Sequence, residues 1–407
     1  MIEFFQNQFG FSLLFMAVLL GVIMTAVAYC ILLERKISAW VQDRVGPNRV
    51  GPGGLLQPLA DGVKFLLKED IISGNVDRRI FILAPAIAFV VAIVGFAVIP
   101  WGGSLDLGGE SSVLVQVASV DIGLLYLLAV GSLSVYGVVL GGWASNNKFS
   151  FYGGMRATAQ MLSYEIPMGL AILVVVMTTG QVRLETIVDF QVFGTGSAGG
   201  GVWNILLHPV AFIILLITAF AEANRAPFDL AECEQELIGG FQTEYSAMKL
   251  ALFYLGEYAH MITSSAFMAV LFLGGWELFP FSERVGWGWV HWFNTSESFF
   301  AAVLRVHVMF GKIAAFIVLF MWVRWTLPRF RFDQLMRLAW LGLVPMGMVL
   351  TAWVALLVYW QMPVSIWATV GNVALIVLVL LIISVRQPVV TGRQRSMPSI
   401  PSSMVTR

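Results

Sequence analysis

Nine stretches of this chain are apolar over roughly 20 residues, the length a helix needs to cross the hydrocarbon core of a bilayer. They lie near 11–33, 79–99, 118–140, 158–179, 205–221, 246–275, 301–325, 341–360 and 365–385. Nothing else restricts the fold as strongly. Backbone surrounded by lipid has no water to bond, so runs of this kind must close their hydrogen bonds as helices. Composition agrees: 58% of residues are hydrophobic, 12% are charged and the mean hydropathy is +0.83. Soluble domains carry about 25% charged residues. The expected fold class is all-α, a polytopic membrane protein of about nine transmembrane helices. One integral membrane domain would fill 1–385, and the tail, 386–407, would be disordered at its Pro/Ser-rich end.

Lysine and arginine assign the sides. All but four of the 24 fall between Glu34 and the start of the second run, or in 141–157, 222–249, 324–340 and 386–407; the exceptions are Arg183, Arg284, Arg305 and Lys312. Basic loops stay on the cytoplasmic side. The N-terminus is therefore expected outside and the C-terminus in the cytoplasm, which requires an odd number of spans. The first run has Glu3 ahead of it and passes straight into Glu34-Arg35-Lys36, so it does not read as a cleaved signal peptide.

Several classes of chemistry are disfavoured. Formal net charge is zero, which argues against a polybasic nucleic-acid binder. Cys30 and Cys233 stand far apart, and His208, His260, His291 and His307 stand alone. No metal is expected from that spacing. Neither a GxGxxG fingerprint nor a Walker loop is present. Nicotinamide, flavin or cluster chemistry would have to reside on other chains.

The polar residues are concentrated in a few places. Ala221 to Lys249 reads AEANRAPFDLAECEQELIGGFQTEYSAMK and holds six carboxylates, Glu222, Asp229, Glu232, Glu234, Glu236 and Glu244, against Arg225 and Lys249. Asp229 with Glu232 three residues on has the form of a capped helix start, and Asp229, Glu232 and Glu236 would then share a face. Such acids raise one another's pKa and can hold protons near neutrality. The plainer alternative is a solvated loop. Arg225 is the nearest base to Glu222, unless the helix has already broken at Asn224–Pro227. Glu165 and Glu257 sit inside apolar helices, where an acid costs about 2.5–3.5 kcal/mol on insertion scales and is normally functional or paired. His260, three residues beyond Glu257, is close enough in sequence to bond to it. Lys312 lies within the seventh run, and Gly194–Gly201 reads as a flexible loop without chemistry. Trp276, Trp287, Trp289 and Trp292 read as an interfacial aromatic belt. After the first run, Arg44-Val-Gly-Pro-Asn-Arg-Val-Gly-Pro-Gly-Gly54 is too turn-rich for helix or strand. Leu55 to Glu69 then carries Leu59, Val63, Leu66 and Leu67 on one face and Asp61, Lys64 and Lys68 on the other, a helix lying on the membrane.

Four of these boxes, in order over roughly 11–360, resemble the H subunit of bacterial proton-translocating NADH–quinone oxidoreductase, respiratory complex I. They are ERK…QDRVGPNRVGPGGLLQPLADGVKFLLKED, RAxAQMxSYE, AExNRxPFDLxExExEL followed by GFxTEYS and EY, and WxRxTLPRxRxDQLM. The resemblance implies a chamber for ubiquinone or menaquinone, with Glu34, Arg35, Gln42, Arg44 and Asp61 as quinone-site residues. It also implies a coupling path through Glu165, Glu222, Arg225, Asp229, Glu232, Glu234, Glu236, Glu257 and Lys312. No redox centre, metal or covalent cofactor belongs to this chain on that reading, and no activity is expected of it alone. The implied partners are soluble quinone-site and iron–sulfur subunits, and small and antiporter-like membrane subunits. His260, Arg305 and His307 depart from the family's pattern, and the ninth run lies outside the core of most relatives. Rival readings are the homologous component of a hydrogenase, a stand-alone proton or cation transporter, and a pure scaffold. The four bases of the exit segment 324–340, Arg324, Arg329, Arg331 and Arg337, would suit an acidic partner or lipid headgroups.

Overall fold

A computed structural model describes residues 7–108, 112–193, 201–230, 238–281, 287–362 and 364–385. The tail, Glu232, Glu234, Glu236 and most of the glycine-rich loop lie outside them. Twelve helices are named here: α1 Gln8–Val41, α2 Gln57–Leu67, α3 Arg78–Val94, α4 Gly123–Ala144, α5 Lys148–Thr179, α6 Leu184–Phe193, α7 Pro209–Glu222, α8 Ala247–Phe272, α9 Gly288–Thr295, α10 Phe299–Thr326, α11 Phe332–Tyr359 and α12 Val364–Val385. One two-residue pairing, Ser104–Leu105 with Val113–Leu114, is the only sheet among the described residues. The protein is an all-α polytopic membrane protein. Six helices, α1, α3, α4, α5, α10 and α11, are long and apolar enough to cross a bilayer by length and composition. α7 is shorter, and α8 carries Lys249, Glu257 and His260 along its length.

α8 is the centre of the bundle. From Met261 to Phe272 every residue is buried, as expected of a helix apolar on all sides and surrounded by others. α1, α3, α6, α7 and α10 pack on it, while α5 packs on α4, α7 and α11. Starts are fixed by side chains that satisfy free amide groups: Asp77 accepts from Arg79 N and Ile80 N at α3, Asn147 from Phe149 N at α5, and Ser298 from Ala301 N at α10.

Three boundaries differ from the sequence reading, each for a local reason. α1 does not end near 33 but runs two turns further, because Glu34 and Ser38 are buried and the Ser38 hydroxyl donates to the Glu34 carbonyl. α5 starts at Lys148, behind its Asn147 cap, rather than near 158. The fifth run breaks at His208, since Pro209 has no N–H to continue the preceding turn. α12 closes that break: Asn372 accepts from Val210 N at 3.2 Å and donates to the Leu207 carbonyl at 3.2 Å. The loop before α2 folds tightly at Gly54 (φ +85°), where a Cβ would stand 2.1 Å from the Pro47 carbonyl oxygen. The tryptophans also divide: Trp276 is buried, whereas Trp287, Trp289 and Trp292 are exposed. Trp276 packs into the core and so does not belong to the exposed belt.

Candidate functional site

The end of α1, the amphipathic α2, the first half of α8 and the end of α10 enclose a cavity of about 850 Å³, within the size range of ligand sites. Its apolar wall is formed by residues such as Ala28, Ile31, Phe65, Leu66 and Leu255. The polar wall holds Glu34, Arg35, Arg44 and Asp61, and with them Arg225, Asp229 and Glu257. Residues hundreds of positions apart thus meet around one space. Gln42 does not line it; its Oε1 accepts from Arg44 Nε at 2.7 Å, just outside.

Glu34 is the fixed point of the polar wall. Arg225 Nη1 lies 3.2 Å from one of its oxygens, Tyr258 donates its hydroxyl to the same oxygen at 2.6 Å, and Arg324 pairs with the other. The Arg225 guanidinium also lies over the Tyr258 ring, 4.1 Å from its centroid. A carboxylate this buried survives ionised only when charges and donors surround it, and here they do. On the facing side Arg35 donates to Asp61 at 2.7 Å, and Gln57, one turn before it, donates to the other oxygen at 2.9 Å. That pairing ties α2 to α1 and aims its polar face inward. Leu59 and Leu67 are left exposed, as suits a helix lying at a lipid interface. Arg329 donates to Asp229 at 2.7 Å.

Two expectations about partners change. Arg225 turns to Glu34, because the chain reverses after α7 at Asn224 (φ +48°) and the three-residue spacing to Glu222 no longer holds. His260 faces Glu222, its Nε2 3.6 Å away, rather than serving only the acid on its own helix. Two of the four bases of 324–340, Arg324 and Arg329, bond acids of this same chain.

Beyond the chamber Glu257, Glu222 and Glu165, each half-buried, line smaller spaces in series. Glu257 borders the chamber and also a cavity of about 40 Å³ that Glu222 and His260 share. Those two border a second cavity of about 40 Å³. Glu222 and Glu165 together line a third of about 10 Å³, with Ser132, Tyr164 and Thr218. Each has room for about one water or more, since a single water needs about 10–15 Å³. Ser132 donates to Glu165, and Gln242 donates to Glu257 at 3.2 Å. Gln160 donates to the carbonyls of Ala221 and Phe228, both at 2.8 Å, and so fixes the turn after α7.

Lys312 is held elsewhere. It donates to the Leu273, Gly275 and Glu277 carbonyls at the end of α8 and lies 4.5 Å from the Trp203 ring centroid. That is a cation at a helix C-terminus, away from the three acids. Arg305 is buried and donates to the Asn294, Ser104 and Ser296 carbonyls. Glu232, Glu234 and Glu236 lie outside the described residues. Tyr258, Arg324, Gln242 and Ser132 were not picked out as site residues from the sequence. Tyr258 stands beside Glu257 in the quoted EY pair, and Arg324 in the fourth box; Ser132, inside a plain apolar run, carries no such signal.

Comparison with known proteins gives a consistent answer. The family model NADH dehydrogenase matches residues 14–355. An NADH-quinone oxidoreductase H subunit of Cytophaga hutchinsonii is 51% identical over 316 residues, covering 78% of this chain and 87% of that one. The H subunit of Leptospira biflexa is 47% identical over 350 residues (84% and 93%), and that of Flavobacterium psychrophilum is 48% identical over 320 (78% and 88%).

Proposed function

The chain belongs to the family of NADH-quinone oxidoreductase H subunits, and on that premise we propose that its 850 Å³ chamber takes the quinone and that Glu257, Glu222 and Glu165 carry the proton response away from it. The observation that supports this most is that Glu257 is common to the chamber and to the first of the small cavities. The quinone ring, with two carbonyl acceptors, suits the donors around Glu34, Arg35 and Asp61. Its isoprenoid tail suits the apolar wall of α1, α2 and α8.

Reduction of a quinone to a quinol takes two electrons and two protons. The electrons come from an iron–sulfur subunit docked at the chamber, and quinone, ubiquinone or menaquinone, is the substrate shared with that partner. The change in charge in the chamber acts on the ion pairs of Glu34 and Asp229 and on Glu257. Protons then redistribute along Glu257, Glu222 with His260, and Glu165 toward the antiporter-like subunits. Glu232, Glu234 and Glu236 extend the acidic mouth. Lys312 steadies the end of α8 on this reading, at one remove from the path. The nine apolar runs form nine spans of one domain in a bacterial inner membrane, with the N-terminus outside, the C-terminus cytoplasmic and no activity in the isolated chain.

Ala28→Phe narrows the apolar wall without touching an ionisable group. In the assembled complex it should raise the quinone KM several-fold while NADH oxidation by an acceptor that bypasses quinone stays normal. An unchanged KM in fully assembled complex would place the quinone somewhere else.

A further inference from the structure

α1 separates two cavities. The chamber lies against Ala28, Ile31 and Arg35, a second space of about 400 Å³ lies against Ala26, Tyr29, Leu33 and Lys36, and Leu32 borders both. At 3.6 residues per turn these sets occupy different faces of the helix, with Leu32 between them. The second space is a slot between α1 and α10, lined also by Ile262 of α8 and by Leu55. Phe310, Ile313, Ala314 and Ile317 form the α10 side.

The chemistry of the walls specifies the guest. Along the slot nearly every side chain is hydrocarbon, so the guest must be hydrocarbon over that length. From Ile23 to Lys36 the α1 wall rises roughly 20 Å at 1.5 Å per residue, compared with roughly 15 Å for half of a 30 Å hydrocarbon core. The depth is that of one leaflet. At the charged end stand Lys36 and the exposed Trp40, a cation and an aromatic ring at headgroup level. The ammonium of Lys36 donates to the Gly53 carbonyl at 2.6 Å and has no carboxylate partner among the described residues. A lysine so placed calls for an anion, which a neutral quinone head does not supply.

We propose that this slot binds one acyl chain of an anionic phospholipid, its phosphate paired with Lys36. The site is independent of the quinone reading. It makes α1 a wall with quinone on one face and structural lipid on the other. Ala314 is exposed, so Ala314→Trp fills the slot from the lipid side without disturbing the core. Lys36→Gln keeps the slot and removes the charge. The test is phospholipid retained by the assembled complex, purified in mild detergent and weighed by native mass spectrometry, then re-lipidated with vesicles of phosphatidylglycerol or of phosphatidylcholine. The wild type should keep one more phospholipid per complex than Ala314→Trp. Lys36→Gln should lose the preference for phosphatidylglycerol over phosphatidylcholine. Equal phospholipid counts in wild type and Ala314→Trp, or an undiminished preference in Lys36→Gln, would overturn the proposal. So would a loss of bound quinone instead of phospholipid in Ala314→Trp.

Discussion

At the scale of single residues, the chamber depends on how one carboxylate is satisfied. Glu34 is bonded by Arg225, Arg324 and Tyr258, so it does two things. It keeps two guanidiniums at the polar wall, and it makes their charge tolerable in a membrane domain. Glu34→Gln leaves both cations beside the chamber without that counter-charge. Breaking a buried pair from one side costs about 3–5 kcal/mol; here the figure should be at the lower end or below, because Arg324 is 39% exposed and solvent screens it. The expected outcome is a complex that assembles with a lower melting temperature and a raised quinone KM, and Glu34→Asp should recover part of both. None of this bonding was legible in the sequence. In the sequence Glu34 stands only as the first charge after an apolar run, and its partners Arg225 and Tyr258 stand 191 and 224 positions away. Only the resemblance to a family picked it out.

At the scale of elements, the apolar runs were legible because lipid leaves the backbone no alternative to helix. The boundaries were less so, since they depend on buried polar residues such as Ser38 and on caps such as Asn147. The contact between α5 and the loop before α8 was not legible at all. Gly153 on α5 lies against Gly240 and Phe241 so closely that a Cβ would stand 2.7 Å from the Phe241 nitrogen. The contact is backbone to backbone, and no flexible side chain can give way. That loop carries Gln242, which bonds Glu257, and Glu244, which accepts from Asn147 at 2.7 Å. Gly153→Ala should therefore push the loop off α5, at about 1–3 kcal/mol. It should also lower turnover although no titratable group changes. Normal turnover with unchanged thermal stability would show that the loop has room to move.

At the scale of the whole molecule, the arrangement is a chamber at one end of the bundle joined to a line of half-buried acids by shared cavities. The acids come from α5, α7 and α8, and α7 packs on both of the others. Their separate presence could be read from the sequence; their order could not, because it depends on which helices adjoin. The central claim is that chamber and acids form one path. Glu257→Gln in the assembled complex tests it most directly, with NADH–quinone turnover and proton pumping recorded on the same preparation. Glutamine keeps the shape and the bond to Gln242 but cannot release a proton. The account predicts that both activities fall together, by roughly tenfold or more, in the range of a lost proton-transfer group. Wild-type turnover with wild-type pumping in that variant would contradict it.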